Sequence, residues 1–190
     1  ITTTAGTPDA ITLSGPASVV AGVTSGNFTV QVVDANGNAV NVVANTTFAI
    51  TTGDESGTAT ITSTPVTVSA GSSSATFTYA NTKVGDGTHT LTATRASGDA
   101  LPGAGSDTHD SGVSAAAAAK YLVTASTTSP VAGGDVTITA QLADQYDNPV
   151  STADVEVSWT KSDANGSFAS ATSDTDANGQ ATVVFTSHTV

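Results

Sequence analysis

The sequence predicts an all-β chain of two tandem β-sandwiches, the second lacking its last strand. Three observations point there. Short apolar alternations recur every 8–12 residues or so between polar turns, the pattern of a sandwich rather than a helical domain. The two halves repeat one another. The closing stretch, Ser173 to Val190, contains a turn and one alternating strand, and nothing in the sequence follows it.

Each element has its own signal. Ile1-Thr-Thr-Thr-Ala5 is β-prone and is cut off by Gly6 and Pro8. Ile11 to Leu13 begins a strand, and Gly15-Pro16 turns the chain. Phe28 to Val33 alternates as a half-buried strand does, then meets the turn Asp34-Ala-Asn-Gly37, whose glycine is free to take positive φ. Phe48 to Ile50, Val66 to Val68 and Ala75 to Tyr79 supply further short strands, and His89 to Thr94 reads as the last one of the first sandwich. Residues 97–114 are rich in Gly and polar side chains and read as linker. Ala115 to Ala119 is long enough for one helical turn but too short to sustain a helix. The second sandwich follows with Tyr121 to Thr124, Val136 to Leu142, Val155 to Trp159, and Ala181 to Phe185; Trp159 is expected in its core. The expected organisation is therefore 1–8, a strand belonging or donated to an adjacent module; 9–98, the first sandwich; 99–119, a linker; and 120–190, the second sandwich.

Composition narrows the function. Sixteen acidic residues against four basic ones give a net charge of −12, which argues against nucleic acid and anionic membranes as partners. Cysteine is absent, so disulfides, thiol catalysis and thiolate metal sites are excluded. No apolar run is long enough to insert in a membrane. Scarce Lys with abundant Thr, Ser, Gly and Asn suits an extracellular, cell-surface protein.

The repeat is specific in places. Val19-Val-Ala-Gly22 answers Pro130-Val-Ala-Gly133, Asp34-Ala-Asn-Gly-Asn-Ala-Val40 answers Asp144-Gln-Tyr-Asp-Asn-Pro-Val150, and Ala75-Thr-Phe-Thr-Tyr79 answers Ala181-Thr-Val-Val-Phe185. The aspartate turn after an alternating strand, and Thr175-Asp-Ala-Asn-Gly-Gln-Ala-Thr-Val183 before a late strand, resemble the bacterial immunoglobulin-like domain of the invasin and intimin group. The resemblance covers Lys120 to Phe185 closely and the first half more loosely. It implies tandem immunoglobulin-like sandwiches of the kind found in adhesins, surface-layer proteins and surface filaments. It implies no catalytic residues.

The register suggests a mode of assembly. Ile1-Thr-Thr-Thr4 resembles Leu91-Thr-Ala-Thr94, which has no counterpart after Phe185. Ile1, Thr2, Thr3, Thr4 and Ala5 are thus expected as a self-assembly strand, and Ala181, Val183 and Phe185 as the acceptor edge, in a head-to-tail homopolymer or between tandem neighbours. Such a strand forms ~5 hydrogen bonds of roughly 0.5–1.5 kcal/mol each. Burying Ile1 adds about 1.5–3 kcal/mol, so other surfaces must join for a firm contact.

Asp174, Asp176 and Asn178 match the start of a calcium loop, but Phe185 stands where its closing Glu belongs; the same run is an ordinary hairpin turn. No cofactor is required, Ca²⁺ being the only candidate. Glu55 and Glu156 are the only glutamates and Glu156 sits in a strand, which makes a paired-carboxylate glycosidase a poor fit, and the chain is expected not to be an enzyme. The reading is a structural subunit of an extracellular filament or surface layer. The alternatives are an adhesin stalk and a carbohydrate-binding module, the latter short of aromatics for a sugar platform.

Overall fold

The computed structural model describes residues 6–54, 57–84, 88–162 and 164–189, and their secondary structure is all strand and turn. Ile1 to Ala5 lie outside the described residues, as does Glu55. The chain divides into two compact units, 1–114 and 115–190.

Unit 1 contains β1 (Ala10–Ser14), β2 (Ser18–Val20), β3 (Phe28–Val33), β4 (Thr46–Thr52), β5 (Thr60–Ile61), β6 (Val66–Val68), β7 (Ser74–Phe77), β8 (Tyr79–Ala80), β9 (Thr88–Ser97) and β10 (Ser106–Ser114). One sheet has the order β1-β3-β7 and the facing sheet β2-β10-β9-β4-β6, with β5 and β8 as a small separate ladder. All pairings are antiparallel except that of β10 with β2. This is the immunoglobulin-like arrangement of two packed sheets with crossing connections. The period of two in β3 puts Phe28, Val30 and Val32 inward, where they meet Phe48 and Ile50 of β4 and Leu91 and Ala93 of β9. Phe28 stacks on Phe77 at 5.4 Å and takes Tyr79 edge-on at 6.2 Å. Each fully buried side chain of this size contributes about 1.5–3 kcal/mol.

The stretch expected to be a linker is the last strand of this sandwich. β10 lies between β9 and β2, in register from Ser106 opposite Thr94 to Gly112 opposite Thr88. Three of its inward positions are polar, and the fourth, Val113, packs against the core. Asp107 Oδ2 accepts the Leu13 N–H at 2.7 Å, His109 packs edge-to-face on Phe28 at 5.6 Å, and Ser111 is fully buried opposite His89. The strand therefore carries no apolar alternation, and unit 1 runs on to Ser114. The five alanines after it form no helix.

Unit 2 contains β11 (Lys120–Ala125), β12 (Asp135–Ala143), β13 (Glu156–Ser158), β14 (Ser167–Phe168), β15 (Thr172–Asp174) and β16 (Gln180–Thr186). One sheet has the order β11-β12-β16-β14; the other is β13-β15 alone. The repeat holds in register: Tyr121 opposite Leu142 and Val123 opposite Ala140 reproduce Ile11 opposite Val32 and Leu13 opposite Val30. Unit 2 thus has counterparts of β1, β3, β4, β6 and β7. Among its described residues nothing pairs with the outer edge of β13, where unit 1 places β9 and then β10. Among the described residues unit 2 has no counterpart of β9 or of β10.

A charge at Ser111 separates a core strand from a linker. Ser111→Asp buries an unpaired carboxylate and is expected to lower unit 1 stability by roughly 3 kcal/mol or more in chemical denaturation. A change within about 0.5 kcal/mol, as at ordinary surface sites, would contradict the placement of β10.

Candidate functional site

The missing pair of strands leaves unit 2 open along one side, as a cavity of about 580 Å³. β11 lines it with Tyr121 and Val123, and β12 with Ile138 and Ala140. Val157 and Trp159 line it from the β13 side, and Phe168 and Phe185 complete its wall. Trp159 is held in place twice: its backbone N–H donates to Ala171 O at 2.8 Å and its indole Nε1–H to Ser173 Oγ at 2.9 Å. Phe168 lies 6.3 Å from Trp159 and 5.3 Å from Phe185, ring centre to ring centre.

Unit 1 shows what this face looks like when closed. Ile11 and Leu13 on β1 are 4% and 6% exposed. Their counterparts on β11, Tyr121 and Val123, are 38% and 62% exposed although they point to the inner face of the sheet. The difference is β10, whose Asp107 accepts the Leu13 N–H, together with the segment before it, where Ala104 O accepts the Ile11 N–H. Trp159, expected in the core, is half-buried at the groove for the same reason.

Ala181, Val183 and Phe185 sit on β16 with their side chains turned between the sheets; Ala181 and Val183 are buried and Phe185 is half-buried. β16 is an inner strand, with β12 along one edge and β14 at the end of the other. Of these three residues Phe185 lines the groove, and among the described strands of unit 2 β11, β13, β14 and β15 each have an edge without a neighbour. Tyr121 and Val123 were not singled out in the sequence; their alignment with Ile11 and Leu13 is the signal that marks them.

The acidic turns have a different geometry. Asp176 Oδ1 accepts the N–H groups of Asn178 and Gln180, both at 2.9 Å, and Asp174 ends β15 opposite Glu156. Among the described residues no group of three or more His, Cys, Asp or Glu gathers as a metal cluster. Asp34 and Asp144 use one carboxylate oxygen in the same way, on Asn36 and Asn38 and on Tyr146 and Asn148. The other oxygen holds the segment leading into the unit: Gly6 N–H at 2.8 Å for Asp34, Ala116 N–H at 3.0 Å for Asp144. The Gly6 and Asn38 backbone donors bring the Asp34 carboxyl from 3.8 down to about 2. Asp144 is pushed up by burial, but its donors from Asn148, Ala116 and Tyr146 outweigh this and leave it lowered. Asp176 is lowered chiefly by the Gln180 N–H.

Unit 1 also encloses a polar cluster that periodicity did not reveal. Tyr79 Oη lies 2.6 Å from His89 Nδ1, and Asn81 Nδ2 lies 3.0 Å from both. Burial pushes the Tyr79 hydroxyl up, and the cluster faces the core rather than a cleft.

In fold the chain resembles segments of bacterial surface proteins. FdeC, an Escherichia coli adhesin, is 18% identical with a TM-score of 0.46, over 95% of this chain and 55% of that one. The chain thus spans about half the length of the FdeC structure. Domains 5–6 of the S-layer protein SbsC are 18% identical with a TM-score of 0.40, over 96% and 84% of the two chains. The D0-D1 domain of intimin is 25% identical with a TM-score of 0.34, over 94% and 84%. No protein-family model matches the sequence, and no curated protein matches it.

The aspartate turns set an acid limit. Asp34 has a folded value below its unfolded one, so its contribution is present above about pH 4 and is lost as the pH falls towards 2. The unit 1 melting temperature is expected to fall across that window, and Asp34→Asn to lower it at neutral pH while flattening the acid limb. Calorimetry as a function of pH checks both.

Proposed function

We propose that this chain is a structural, non-enzymatic segment of an extracellular cell-surface protein. Its immunoglobulin-like units join head to tail into a filament or surface layer, and the second unit is completed by β-structure from its neighbour. The observation that carries this reading is the contrast between the closed sandwich of unit 1 and the open groove of unit 2. A sheet edge with an uncovered apolar face is a template for pairing with another chain. Ile1 to Ala5 are the segment of this sequence offered as a donor, and the β13 edge is the acceptor. The charge of −12 fits a solvated exterior and leaves nucleic acid and anionic lipid as poor partners.

Antibody against the purified protein should label the outside of intact source cells along regular fibres or sheets in electron micrographs. Label confined to the cell interior would overturn the surface role. Purified protein should itself form fibres that shorten or disappear when residues 1–5 are deleted. Fibres unchanged by the deletion would remove Ile1 to Ala5 as the donor, and a protein that stays monomeric at all concentrations would favour a stalk segment.

A further inference from the structure

We propose that Asn165 is a site of spontaneous deamidation, where the side chain closes on the Gly166 nitrogen to a succinimide that water opens to aspartate or isoaspartate. The tetrapeptide Asp-Ala-Asn-Gly occurs three times, as Asp34 to Gly37, Asp163 to Gly166 and Asp176 to Gly179. At an Asn-Gly step the side-chain amide meets an unhindered backbone nitrogen, because glycine has no Cβ to crowd the approach. The local sequence is the same in all three copies, so the fold decides which of them reacts.

Two copies are locked. In each, the glycine N–H closes a turn onto the aspartate carbonyl: Gly37 N–H donates to Asp34 O and Gly179 N–H to Asp176 O, both at 2.9 Å. The asparagine N–H and that of the residue after the glycine both donate to the aspartate Oδ1, again at 2.9 Å. A backbone nitrogen attacks only after losing its proton, so a nitrogen whose hydrogen is held this way is a poor nucleophile until the turn opens. The third copy differs. Ala164 and Asn165 form a bend with no turn bond across it, and Asn165 is exposed. Ser167, the residue after the glycine, belongs to β14 and lies opposite Thr186 of β16. The Lys161 ammonium donates to the Asn165 carbonyl oxygen at 3.3 Å. That carbonyl shares its peptide group with the Gly166 nitrogen, so the cation stabilises the anion formed when this nitrogen loses its proton.

The step needs no reagent beyond water. The Gly166 nitrogen forms a bond to Asn165 Cγ, the Cγ–Nδ2 bond breaks, and the amide nitrogen leaves as ammonia with the proton that Gly166 has lost. Water then opens the ring at either carbonyl. Opening at the former main-chain carbonyl gives isoaspartate, which adds one carbon to the backbone just before β14. Gly166 has little room for that shift, since a Cβ there would stand 2.5 Å from the Phe185 ring and 2.8 Å from Thr186 O. Phe168, two residues on, lies 6.3 Å from Trp159, so the change reaches the wall that these rings form.

The three copies serve as each other's controls. The purified chain is held in mildly alkaline buffer, and peptide mass mapping follows the conversion of amide to acid at Asn36, Asn165 and Asn178 in the same molecules. Asn165 is expected to convert roughly three- to tenfold faster than the other two, the factor that a retained hydrogen bond supplies. In urea, where the turns are lost, the three rates are expected to converge. Lys161→Gln is expected to slow Asn165 and to leave Asn36 and Asn178 unchanged. Conversion of Asn36 or Asn178 as fast as Asn165 in the folded protein would overturn the inference. So would a difference that persists undiminished in urea, because the residue after the glycine, and not the fold, would then set the rate.

Discussion

A sheet with one apolar face is stable in water only when a second layer covers that face. Unit 1 meets this constraint with three strands against five. Phe28, Val30 and Val32 are sealed by Phe48, Ile50, Leu91 and Ala93, and the facing sheet reaches as far as β2. Unit 2 meets it only in part. Ala140, Val157 and Ala181 form a small buried cluster with Trp159 against it. The centre of the four-stranded sheet is also covered at Leu142 and Val183, but its outermost apolar residues, Tyr121 and Val123 on β11, are left exposed. Exposure at these two residues, the 580 Å³ cavity and the unpaired β13 edge share this one cause.

The aspartate turns solve a separate problem. The loop between the two sheets must reverse direction while its backbone donors are taken out of water. Asp34 and Asp144 do this with one oxygen and hold the leading segment of their unit with the other. The motif therefore ties the segment before the first strand to the turn at the end of the central strand, 28 residues further along in each unit. This explains why the same spacing of Asp, turn and Asn occurs in both halves.

Most of the sandwich was legible in the sequence, because β3, β4, β12 and β16 alternate cleanly and the turns carry Asp and Gly at the required positions. β10 was not. Asp107, His109 and Ser111, three of its inward residues, read as a solvated loop, and their placement depends on Leu13, Phe28 and His89 far away in sequence. Missing β10 made β9 the apparent final strand of the first sandwich. A strand's inward residues can be read from its alternation, but its neighbours depend on long-range pairing. Tyr121 and Val123 look like core in sequence, and only the comparison with Ile11 and Leu13 reveals them as groove.

The parallel pairing of β2 with β10 bears on how unit 1 carries a load. Ser18, Val19 and Val20 lie beside Gly112, Val113 and Ser114, and both strands run the same way. Tension drawn through the chain arrives close to one of these strands and leaves through the other. It acts along the ladder, so the bonds between them resist together in shear and cannot be peeled open one at a time. A unit built in this way is suited to being pulled from its two ends.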